Sequence, residues 1–177
     1  MATRSRIYSF DEMDRDGRPA WSLNERRIAF AKGTELIIAA TQSGEFSQRI
    51  AMPLGPLGIR GTALGPGWSP GGTLIATGVT WSVGLMVFKV ETGDCVFARP
   101  AGSWLFSAVF SPNGRTLAWC GEHGVELVDT ATWTNIHTIP VHRPAQQIDQ
   151  GWLSFSSDGA TLALGYGRAS YLIDPLT

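Results

Sequence analysis

Phe110-Ser111-Pro112-Asn113-Gly114 leads into the apolar run Leu117-Ala118-Trp119, and the same phrase returns three more times along 177 residues. The other copies are Trp21-Ser22-Leu23-Asn24-Glu25, Trp68-Ser69-Pro70-Gly71-Gly72 and Phe155-Ser156-Ser157-Asp158-Gly159. They lead into Ile28-Ala29-Phe30, Leu74-Ile75-Ala76 and Leu162-Ala163-Leu164. The serines are spaced by 47, 42 and 45 residues. A period of about 40–45 residues with several strands in each unit marks a β-propeller.

The copy around Phe110 shows how one unit divides. Leu105 to Phe110 is rich in apolar and aromatic residues and reads as a strand. Ser111-Pro112-Asn113-Gly114 then supplies turn chemistry: proline presets φ, and asparagine and glycine tolerate a positive φ. Thr116 to Cys120, Val125 to Asp129 and Asn135 to Val141 follow as three further strands. Four strands in about 45 residues make one blade. The expected blades cover about 19–54, 63–101, 104–141 and 150–177, after a closing strand and loop at 1–18. Helical periodicity of 3.6 residues is absent, so the fold class is all-β: about four four-stranded antiparallel blades. Gly114 and Gly159 are expected at positive φ. Asn24, in the corresponding region of the first unit, is expected to tolerate change better.

The quoted turns resemble those of bacterial WD-repeat proteins, whose units often carry Ser-Pro-Asp-Gly before the second strand. That resemblance runs from Pro19 to Thr177 and implies an Asp after each third strand. Asp129 and Asp174 take that place, Glu91 substitutes in the second unit and Ala40 fails it in the first. The family's Trp before that Asp is replaced by Val128, Ile173, Val90 and Ala39, and its Gly-His pair is missing. The family's buried polar network therefore does not transfer. The Trp-Ser openings at Trp21 and Trp68 also look like TolB-type propeller repeats.

The last unit stops after its third strand, while Arg6-Ile7-Tyr8-Ser9-Phe10 is an extended segment with no blade of its own. Residues 6–10 are thus expected to pair with residues 171–174 and remove two exposed edges. Three closures follow: a four-bladed ring in one chain, a homodimer of two half-propellers, or an arc of a longer propeller. A partial or half propeller is the favoured reading.

Bulk properties narrow the function. With 44% hydrophobic and 16% charged residues the chain belongs with folded domains. A net charge of −1 gives no general pull toward nucleic acid or anionic membrane, so neither is an expected partner. No run reaches the ~18 apolar residues of a membrane helix. Cys95 and Cys120, one in each of two successive units, leave a bridge open; they read rather as small buried hydrophobes of a reducing compartment, and the cytoplasm is expected.

Of seven tryptophans, Trp21, Trp68 and Trp119 share slots with other core residues and are expected inside. Trp81 falls between a second and a third strand, and Trp104 falls where the third unit begins. In a propeller these two loop classes emerge on one face. His123, His142 and Arg143 belong to the same classes, as do Arg60 in the glycine-rich stretch 55–67 and Arg168. These seven residues form the expected partner-binding set, with Trp supplying apolar area and Arg forked hydrogen bonds. Neither His123 nor His142 sits in a ligand-spacing motif, so no metal, cofactor or catalytic residue is assigned. The leading function is a non-enzymatic scaffold for a protein or peptide. The alternatives are a hydrolase or lyase with a site at the channel mouth, and a sensor domain of a larger protein.

Overall fold

The computed structural model describes residues 18–52, 65–79, 84–100, 105–121, 124–141, 151–166 and 169–175. Fifteen strands in these segments form four antiparallel sheets, with no helix among the described residues. Blade 1 orders β1 (Ala20–Trp21), β2 (Arg27–Lys32), β3 (Glu35–Ala40) and β4 (Phe46–Ala51). Blade 2 has β5 (Gly67–Trp68), β6 (Leu74–Val79), β7 (Gly84–Lys89) and β8 (Cys95–Arg99). Blade 3 has β9 (Leu105–Phe110), β10 (Thr116–Gly121), β11 (Gly124–Asp129) and β12 (Asn135–Ile139). Blade 4 shows three strands: β13 (Gly151–Phe155), β14 (Leu162–Tyr166) and β15 (Ala169–Ile173). This is a partial β-propeller. The expected fourth strand of blade 4, residues 6–10, lies outside the described residues.

The repeated serine explains the repeated turn. In every blade its N–H donates to the carbonyl of the residue five positions on: Ser22 to Arg27, Ser69 to Leu74, Ser111 to Thr116 and Ser156 to Thr161, at 2.8–3.0 Å. Its hydroxyl oxygen accepts the N–H of that same residue at 2.9–3.0 Å. Side chain and backbone together thus close a hairpin that backbone pairing alone would leave half-satisfied. Gly114 and Gly159 have φ of 71° and 75°, as expected. Asn24 takes the place of Asn113 in its turn, and Glu25 that of Gly114. The Asn24 Oδ1 accepts the Ser22 hydroxyl at 2.8 Å and the Arg26 N–H at 3.1 Å. Asn113 and Asp158 do the same in their own turns.

A large–small alternation along the second strands packs the blades. Ile75, Leu117 and Leu162 point back to the preceding blade, while Ala29, Ala76 and Ala118 point on to the next. Each of these alanines faces an aliphatic residue of the third strand: Ala29 opposite Ile38, Ala76 opposite Val87, Ala118 opposite Leu127. Three apolar cores result, one per interface. Blades 1 and 2 enclose Leu36, Ile38, Ile50, Ile75, Met86 and Phe88. Blades 2 and 3 enclose Leu85, Val87, Leu117, Trp119 and Val128. Blades 3 and 4 enclose Cys120, Val125, Leu127, Leu153, Leu162 and Leu164. Burying each large aliphatic side chain is worth about 1.5–3 kcal/mol, so these wedges hold the arc together. At the narrow end the backbones meet closely. A Cβ at Gly67 would stand 2.5 Å from the Ala108 carbonyl oxygen, which leaves room for glycine alone.

Three side chains depart from the sequence expectation. Trp21, on the short inner strand β1, is 59% exposed. Cys95 is exposed on β8, whereas Cys120 is buried in the third core. In register, the position of Asp129 (opposite Thr116) corresponds in blade 2 to Lys89 (opposite Leu74), not Glu91. The residue before it is accordingly Phe88 and not Val90.

Candidate functional site

Strand register sets which loops share a face. Val79 pairs with Gly84, Gly121 with Gly124 and Tyr166 with Ala169, so the second-to-third-strand connections all leave one end of the sheets. The last strands finish at that same end: Ala51 opposite Glu35, Arg99 opposite Leu85, Ile139 opposite Val125. The inner strands begin there too, Leu105 pairing with Gly121 and Gly151 with Tyr166. The strand ends flanking segments 53–64, 80–83, 101–104, 122–123, 142–150 and 167–168 therefore lie on one face. All seven sequence-chosen residues, Arg60, Trp81, Trp104, His123, His142, Arg143 and Arg168, fall in these segments and lie outside the described residues.

The opposite face is closed by short turns and is bound up with its own hydrogen bonds. Asp129 Oδ1 accepts the N–H groups of Ala131 and Thr132 at 2.9 and 2.8 Å and the Thr132 hydroxyl at 3.0 Å. Those bonds, the Thr132 N–H foremost, hold the carboxyl below the usual carboxylate range. The Ser156 hydroxyl and then the Ala160 N–H do the same for Asp158. Thr130 Oγ1 donates to the Gly114 carbonyl at 2.6 Å, and Thr41 Oγ1 to that of Glu25 at 2.7 Å. Blade 2 has Val90 in the threonine place, and Arg27 Nη2 of blade 1 serves the Gly72 carbonyl at 3.2 Å instead. These acids staple turns and are not poised for proton transfer.

At the hub, the Arg18 guanidinium carbon lies 3.6 Å from the centre of the Trp152 ring, linking the beginnings of blades 1 and 4. The Trp68 indole N–H donates to the Ala20 carbonyl at 3.0 Å, and the Arg27 guanidinium sits over the same ring at 5.4 Å. Among the described residues no group of three His, Cys, Asp or Glu side chains could hold a metal ion. His137 is exposed on β12.

One polar constellation was not anticipated. Glu126 is buried on the face of blade 3 that meets blade 2, where Met86 stands in blade 2. Its Oε2 lies 2.8 Å from Arg99 Nη2 of blade 2 and accepts Asn135 Nδ2 at 3.4 Å. Directly opposite Glu126 in register is Trp119, whose indole N–H is buried with no acceptor among the described residues. Phe97 and Trp133 stack across the same interface at 4.9 Å. The signal was a lone acid inside Val125-Glu126-Leu127-Val128, a run otherwise wholly apolar.

No family model and no curated protein matches the chain. Among solved structures it is similar to hydrazine synthase from Kuenenia stuttgartiensis, with a TM-score of 0.69 and 12% identity. The match covers 98% of this chain and 53% of that one, so the chain spans about half the length of the solved chain it matches. The likeness is one of fold.

Proposed function

We propose that the chain is a non-enzymatic scaffold that binds a protein or peptide segment through the loop face of its propeller. The supporting observation is the register of the strands. It gathers the flanks of every longer connection on one face, while Asp129, Asp158, Thr41 and Thr130 tie down short turns on the other. A rigid sheet frame carrying variable loops at one end suits recognition. Tryptophan and arginine are the residues that most often dominate such interfaces. We read the units as divergent WD-type repeats of a cytoplasmic protein. The Ser-Pro-Asn-Gly turn at 111–114 and the turn-capping Asp129 support that reading.

The test begins with peptides selected from a displayed random library on the immobilised chain, and measures their affinity in solution. Trp81→Ala and Trp104→Ala should each weaken binding by about 2 kcal/mol or more. Thr92→Ala and Ser157→Ala, in turns of the opposite face, should leave it unchanged. Peptides that bind the two tryptophan variants as tightly as the parent would remove the proposal.

A further inference from the structure

Three asparagines occur in the chain, and the residues after them are Glu25, Gly114 and Ile136. Only at Asn113 is the following backbone nitrogen unshielded by a side chain, so that it can close on the asparagine amide carbon. Asn113 is exposed at the turn between β9 and β10, where water reaches it. The turn holds both reacting groups. The Asn113 Oδ1 accepts the Ser111 hydroxyl at 2.8 Å and the Arg115 N–H at 2.9 Å. The Gly114 N–H donates to the Ser111 carbonyl at 2.8 Å. Ring closure needs these bonds to open, and Ser111 takes part in two of the three. Exposed turns open at small free-energy cost, well below that of global unfolding.

The turn of blade 4 shows that a carboxylate fits the same place. The Asp158 Oδ1 accepts the Ser156 hydroxyl at 2.6 Å and the Ala160 N–H at 3.0 Å. Gly159 donates to the Ser156 carbonyl at 2.9 Å with φ of 75°, close to the 71° of Gly114. An aspartate at 113 would enter a setting this fold already builds for an aspartate. The turn of blade 1 is barred from the reaction, because Glu25 brings a Cβ beside the nitrogen.

We propose that Asn113 is a site of spontaneous deamidation in the folded chain, gated by Ser111, which turns the asparagine turn of blade 3 into the aspartate turn of blade 4. Gly114 N gives its proton to hydroxide and bonds to Asn113 Cγ. The bond from Cγ to the side-chain nitrogen breaks, and that nitrogen takes a proton from water and leaves as ammonia. Water then opens the five-membered imide at Cγ and restores the main chain with an aspartate. One water is consumed and one ammonia released, with no oxidant or reductant. The product adds a negative charge to the turn face, at the opposite end of the sheets from the loop-face reading and independent of it.

The test is incubation of the folded chain in heavy-oxygen water at mildly alkaline pH, followed by peptide mapping in a mass spectrometer. Position 113 should gain a labelled carboxylate oxygen, while Asn24 and Asn135 remain amides. Ser111→Ala, with its fold checked by circular dichroism, should convert about 2- to 10-fold faster, the effect of losing one gating hydrogen bond. Ser22→Ala, two blades away, should leave the rate at 113 unchanged. The parent unfolded in urea should convert faster than the folded parent, a comparison that tests the gate without any substitution. Asn113→Asp should keep the melting temperature of the parent at neutral pH. No label at 113 in the folded chain over a span that converts the unfolded chain completely would overturn the proposal. So would equal labelling at Asn24 or Asn135, a folded rate equal to the unfolded one, or an Asn113→Asp chain that does not fold.

Discussion

Glu25 holds φ at 57° in the turn position that Gly114 fills at 71°. Both donate their N–H to the carbonyl of the turn serine three residues back, Ser22 or Ser111, at 2.8 Å. The first blade thus forces a Cβ-bearing residue into the left-handed region to make the turn its neighbours make with glycine.

Replacing Gly114 by Val should cost on the order of 1–3 kcal/mol, the strain of a β-branched residue at positive φ. Glu25→Gly should act in the opposite direction. It relieves that strain and returns part of the gain through a more flexible unfolded chain, for a net stabilisation of a few tenths to ~1 kcal/mol. Urea midpoints measured at constant m-value would check both. A destabilised Glu25→Gly would mean the turn in blade 1 differs from the other three.

Acid should loosen the turn face first. The folded-state pKa values of Asp129 and Asp158 lie below their usual value of 3.8, because each carboxylate accepts hydrogen bonds it would lose on protonation. A depressed folded pKa gives stability that is fully present above the unfolded pKa and is lost as pH falls through the folded one. The melting temperature should therefore decline below about pH 4. The double variant Asp129→Asn/Asp158→Asn should show a shallower decline, because an amide oxygen can accept the same bonds at any pH, as Asn24 and Asn113 already do. An unchanged acid slope in the double variant would place the sensitivity elsewhere.

The Arg99–Glu126 pair makes the second interface depend on both partners. Arg99→Met leaves a buried carboxylate without its cation and should destabilise by roughly 1–3 kcal/mol, kept at the low end by the partial exposure of Arg99. Adding Glu126→Met, which copies the methionine of blade 2, should restore most of that loss. A double-mutant cycle reads the coupling directly. Additive losses would show that the two side chains act independently.

The blades were legible because serine, asparagine and glycine in the turns have strong local preferences, and alternating apolar runs have only one way to face a neighbour. The strand expected at Leu105 to Phe110 appears with those bounds. Glu25 was not legible, since nothing in a glutamate announces a positive φ; the surrounding turn imposes it. Glu126 was missed for a related reason: its partner Arg99 is 27 residues away, on a neighbouring sheet. The exposure of Leu172 follows from the lack of a next blade among the described residues, which no single unit encodes. The site was legible only as a face. The residues chosen for it sit in the connections between strands, where sequence gives chemistry without geometry.

The central claim is that one repeated unit builds three filled interfaces and, among the described residues, leaves Leu172 of blade 4 uncovered. The stability of Leu127→Ala against that of Leu172→Ala, in denaturant and at concentrations where the chain is monomeric, tests it most directly. Both leucines stand opposite an alanine in the same register, so only the presence of a next blade separates them. Leu127→Ala should cost about 2–5 kcal/mol, and Leu172→Ala should stay within about 0.5 kcal/mol of the parent. Equal losses at the two positions would contradict the account.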